Sequence, residues 1–92
     1  MPEEVLFETE STQSRAEIAA YLRDVADRLE AGEEITLRAG DQSVTLGPPA
    51  RPTFEVKAER EGPAGAAGEM SVEFEIEWSE GDDGENGDLV ID

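Results

Sequence analysis

Cysteine and histidine are both absent from the 92-residue chain, and lysine occurs once, at Lys57. Without cysteine, no disulfide or thiolate-held metal can staple the fold. Without histidine, the commonest acid–base group near neutral pH and the commonest metal ligand are missing. Positive charge is scarce: 7 Lys plus Arg face 24 Asp plus Glu, for a net charge of −17. No cluster of cations is present to meet a phosphate backbone or an anionic membrane, so neither nucleic acid nor membrane is an expected partner. No apolar run nears the roughly 20 residues of a membrane span, and the opening MPEEVLFETE lacks the basic and apolar regions of a signal peptide. The expected location is the cytoplasm.

The acids are spread along the whole chain. In dilute buffer such a chain repels itself, whereas at molar salt the Debye length falls to about 3 Å and the repulsion is screened. An acidic surface almost free of lysine is the pattern expected of a salt-accumulating cytoplasm such as that of a halophilic archaeon. The length allows one domain with a thin core, because a chain this small buries only roughly 60% of its unfolded surface.

Residues 4–10 alternate as a first strand, with Val5, Phe7 and Thr9 on one face and Leu6 on the other. A helix follows over about 15–31. Ser14 and Glu17 form a capping-box pattern, Ile18, Leu22, Val25 and Leu29 recur at helical spacing, and Gly32 is a natural stop. Asp24 and Arg28 stand four apart, where they can pair. A hairpin is expected at 34–38 and 42–46 around Ala39–Gln42. Beyond Pro48, Pro49 and Pro52 the chain alternates again over 53–60, placing Phe54, Val56 and Ala58 on one face. The small-residue stretch 61–68 is expected to be the most mobile connection. In the last strand Met70, Val72, Phe74, Ile76 and Trp78 share one face, with Glu73, Glu75 and Glu77 on the other. Residues 80–92 show no periodicity and are expected to be a disordered acidic tail after a single domain over 1–79. The expected fold is α+β, ordered β-α-β-β-β-β, with one antiparallel sheet and a single helix packed on its apolar face.

The strand Ser71–Trp78, strictly alternating and ending in tryptophan, resembles that of the amphi-Trp domain family. The Phe–Glu segment before the helix, Ala20–Tyr21–Leu22 within it, and the stretches Ile35–Thr36–Leu37 and Val44–Thr45–Leu46 are similar as well. The resemblance covers about residues 4–79. It implies the fold and brings no activity and no catalytic residues.

No catalytic site is legible. Ser and Thr lack a histidine base, Lys57 lies on the polar face, and no glycine-rich phosphate loop occurs. The Glu55, Glu59, Glu73, Glu75 and Glu77 row is open and flat, unlike the apolar cleft that paired catalytic carboxylates need. The tail segment Asp82–Asp83–Gly84–Glu85–Asn86–Gly87–Asp88 resembles the start of a calcium loop, but Gly84 has no side-chain ligand and no helices flank it. No enzyme, cofactor or tight metal site is therefore expected. The candidate contact residues are Leu6, Tyr21, Trp78 and the acid-flanked triplet Leu89, Val90 and Ile91. The expected role is a small non-catalytic interaction or accessory module that binds a protein partner or a second copy of itself. The alternative is a cation-binding acidic protein using the Glu-rich sheet face and the tail.

Overall fold

A computed structural model describes residues 3–80 and residue 91. It is α+β: one helix, α1 (Arg15–Ala31), then four strands, β1 (Ile35–Ala39), β2 (Gln42–Leu46), β3 (Thr53–Glu61) and β4 (Glu69–Glu77). The contacts divide the chain into two units, Met1–Pro48 and Pro49–Asp92.

In the first unit, α1 begins and ends where its cap residues place it. The Glu17 amide donates to Ser14 Oγ at 3.1 Å, and the Ser14 amide donates to Glu17 Oε1 at 3.1 Å. These reciprocal bonds satisfy two amides that the first turn cannot. At the other end Gly32 adopts φ 71°, ψ 25°. From there its amide reaches the Leu29 carbonyl at 3.2 Å, and the Glu33 amide reaches that of Arg28 at 2.9 Å. This is a Schellman stop. The Arg28 guanidinium turns to Glu33 at 3.7 Å instead of Asp24; both groups are more than half exposed, so the pair adds little.

The bonds to Ser14 hold the Glu17 carboxyl below its ordinary pKa, the bond to the Ser14 backbone weighing most and that to its side chain next. A lowered folded-state value contributes stability above the unfolded value of 4.5, and that contribution is lost as pH falls through the folded value. Ser14→Ala removes the cap acceptor and is expected to cost about 1 kcal/mol of helix stability, while Glu17→Gln removes the titrating group and is expected to flatten the acid-side loss of helicity. Circular dichroism of both variants and the wild-type protein between pH 3 and pH 6 checks this.

β1 and β2 pair antiparallel, with Ile35 opposite Leu46 and Leu37 opposite Val44. A two-residue turn joins them, with Gly40 at φ 59° in its first central position, where a side chain would be strained. Ile35, Leu37, Ala39, Val44 and Leu46 are half-buried, as are Phe7, Ala19 and Val25, and α1 touches β1. On the opposite face the Thr36 and Thr45 hydroxyls meet at 2.9 Å.

The strand expected over 4–10 does not form. Residues 3–14 pair with no ladder. The Gln42 side-chain amide instead brackets the Glu8 backbone, donating to its carbonyl at 2.9 Å and accepting from its amide at 3.3 Å. Alternation made this segment strand-like, but a strand also needs a free edge in register, and here one side chain takes that role.

In the second unit, β3 and β4 pair antiparallel over nine residues each. The four strands thus form two separate two-stranded ladders instead of the one sheet expected. The connection 62–68 is bonded to the Arg60 side chain. Arg60 donates through Nη1 to the Gly62 carbonyl at 3.5 Å, and through Nη2 to the Pro63 carbonyl at 3.2 Å and the Ala66 carbonyl. The Ala66 amide closes a turn on the Pro63 carbonyl, with Gly65 at φ 78° in the position that requires it.

Neither unit has a fully buried side chain among the described residues. Of the apolar helix stripe, Ile18, Leu22 and Leu29 are exposed and Val25 is half-buried. Phe54, Val56 and Phe74 are exposed too, whereas Ile76 and Trp78 are half-buried.

Candidate functional site

The register of β3 and β4 separates two chemistries. On one face lie Phe54 opposite Ile76, Val56 opposite Phe74, Ala58 opposite Val72, and Arg60 opposite Met70. On the other lie Glu55 opposite Glu75, Lys57 opposite Glu73, Glu59 opposite Ser71, and Glu61 opposite Glu69, with Thr53 and Glu77 at the end. Strict alternation builds this division, because side chains along a strand point alternately to the two faces.

The apolar face is open. Phe54 is 62% exposed, Val56 55%, Met70 73%, Val72 59% and Phe74 57%. The rings of Phe54 and Phe74 stack with centroids 6.3 Å apart and planes 8° from parallel, a diagonal cross-strand contact that rigidifies one end. Arg60 is the one charged side chain on this face, and its guanidinium is taken up by loop carbonyls.

The acidic face carries one cation. Lys57 Nζ lies 3.0 Å from Glu59 Oε2. That hydrogen bond, then the charges of Glu59, Glu73 and Glu55, hold its ammonium above the ordinary lysine value. A raised value means stability present below the unfolded pKa of 10.5 and lost as pH rises through the folded value. Lys57→Met is accordingly expected to abolish an alkaline loss of hairpin signal above pH 10 and to increase the salt needed for folding; a pH and KCl series of circular dichroism spectra reads both. Glu55, Glu75 and Glu77 each offer a carboxylate oxygen within 4.8 Å of the others. Oxygens bound at about 2.3–2.6 Å to one ion stand up to about 5 Å apart, so this spacing is compatible with a cation and does not tell a directly held one from a hydrated one.

The sequence-based contact residues fall apart from one another in the chain. Leu6 is 59% exposed and Tyr21 61%. Tyr21 lines an open groove of about 1020 Å³ in the first unit with Phe7, Val25, Leu37 and Ala39. Trp78 lies just past the end of β4, half-buried in a depression of about 330 Å³ with Arg51, Pro52 and Thr53. Ile91 is exposed, and Leu89 and Val90 lie outside the described residues. The alternation places Phe54, Val56, Phe74, Ile76 and Trp78 on the face expected to pack under the helix; of these, Phe54, Val56 and Phe74 are exposed and Ile76 and Trp78 half-buried. The strict alternation that located the strands marks a face to be covered without saying by what.

Among the described residues no helix is long and apolar enough to cross a membrane. An α+β chain with, among the described residues, one helix and four strands, a glutamate-backed apolar hairpin and a tryptophan at its end is the class that fold and site define. The chain belongs to the Amphi-Trp domain family, whose model matches residues 1–92, tail included. No curated protein and no solved structure matches the chain significantly.

Proposed function

We propose that this protein is a small non-catalytic interaction or accessory module of a salt-adapted cytoplasm, and that it works by docking the apolar face of the β3–β4 hairpin. The carrying observation is the exposure of Phe54, Val56, Met70, Val72 and Phe74 on one face of a nine-residue ladder. A two-stranded hairpin is marginal in water by itself, and gains stability when its apolar side is covered. Each buried aliphatic or aromatic side chain there contributes about 1.5–3 kcal/mol. The acidic face keeps the module hydrated where salt competes for water.

The test uses the absence of cysteine. Val72→Cys, close in size, is labelled with a monomaleimide in cell extract at about 3 M KCl, where long-range charge is screened. Protection relative to the urea-unfolded protein is the expected result. Labelling as fast as in urea contradicts docking.

A second reading rests on the Glu55, Glu75 and Glu77 grouping: weak binding of a divalent cation. It predicts saturable binding of Mg²⁺ or Ca²⁺ in calorimetric titration, lost in Glu75→Gln. A linear, non-saturating titration contradicts it.

A further inference from the structure

We infer that the partner covering the hairpin face is a second copy of this chain, the two apolar faces meeting about a two-fold axis at high salt. The inference rests on the docking role proposed above and adds the identity of the occupant.

Area favours this occupant. With Phe54, Val56, Met70, Val72 and Phe74 each more than half exposed, the face leaves on the order of 600 Å² of apolar surface in water, against about 800 Å² per partner in a standard interface. A second copy matches in area by identity, and a two-fold interface is the commonest way for one patch to satisfy itself.

Shape and charge agree. Ala58, opposite Val72, makes a shallow centre between the stacked Phe54 and Phe74 at one end and Met70 at the other. Antiparallel stacking of two such faces sets the aromatic end of one on the Met70 end of the other, at the roughly 10 Å separation of packed sheets. The face carries no carboxylate, and its one cation, Arg60, is bonded to its own loop. Two copies therefore meet without apposing acids. A basic partner would gain nothing here and would be drawn to the glutamate face instead. Each chain still brings a net charge of −17, so association strengthens as salt screens that repulsion.

The test pairs two near-isosteric variants on neighbouring residues of opposite faces, Val72→Cys and Ser71→Cys, in an otherwise cysteine-free chain. Purified protein at about 3 M KCl is treated with a monomaleimide over a hundredfold range of protein concentration. The expected result is protection of Val72→Cys that rises with protein concentration, at least tenfold above that of Ser71→Cys, and is lost at about 0.1 M KCl. Equal labelling of the two variants overturns the inference. So does a Val72→Cys protein that labels freely at every concentration, and so does one protected to the same degree at every concentration, which places the chain's own residues on the face. Protection in extract combined with free labelling of the purified protein removes the second copy and leaves the docking role standing; free labelling in both removes the two together.

Discussion

Gly68→Ala is expected to unfold the β3–β4 hairpin at temperatures where the wild-type protein is folded. Gly62 and Gly68 face each other just beyond the last ladder pair, Glu61 opposite Glu69. A Cβ on Gly68 would run into the Glu61 carbonyl oxygen and lie 3.2 Å from Gly62 Cα, and these are backbone atoms that cannot swing aside. Gly62 is constrained twice: its φ of 141° is closed to other residues, and its Cβ would sit 2.8 Å from Gly68 Cα. A backbone shift at this point unseats the carbonyls of Gly62, Pro63 and Ala66 from Arg60 as well. The expected cost is on the order of 2–3 kcal/mol, a large share of the stability of a domain this small. Thermal melts of Gly68→Ala and Gly65→Ala at molar KCl compare it with a glycine that has open space around its Cβ position and a strained φ only. The Gly68 variant is expected to melt lower by the larger margin.

Removing salt is expected to have the other large effect. The rear face of the hairpin sets Glu55 against Glu75 and Glu61 against Glu69, with Lys57 opposite Glu73 as its one pair of opposite sign. Like charges directly opposed across strands destabilise by roughly 0.2–1 kcal/mol each, and the charge of the whole chain adds to this. Dilution from about 3 M to about 0.1 M KCl lengthens the Debye distance from below 3 Å to about 10 Å. Both hairpin signal in circular dichroism and the dimer should fall together, and both should return on adding salt. Glu55→Thr and Glu61→Thr combined is expected to lower the KCl midpoint without touching the apolar face. An unchanged midpoint would locate the salt dependence elsewhere.

Local chemistry was readable in the sequence where the chain's own neighbours decide the outcome. The limits of α1 follow from Ser14, Glu17 and Gly32; the β1–β2 turn follows from Gly40; and the alternation over 53–60 and 70–78 located β3 and β4 within a residue or two at each end. What depends on distant partners was less legible. The alternation at Val5, Phe7 and Thr9 looks no different from that of β1, yet Gln42 holds this segment through its side chain. Arg60 reads as one more surface cation in a charged strand, and only the folded loop shows it gathering three carbonyls. Nor does an apolar stripe state its partner. Phe54, Val56 and Phe74 share the apolar face read from the sequence and are exposed, because alternation gives a face and leaves its cover open.

The most direct test of that cover is mass in solution, by sedimentation equilibrium at about 3 M KCl across a wide range of protein concentration. Closure of two hairpin faces predicts a species of twice the 10.0 kDa of one chain, shifted to the single-chain mass by Val72→Glu. A folded protein of 10.0 kDa at every concentration would contradict it.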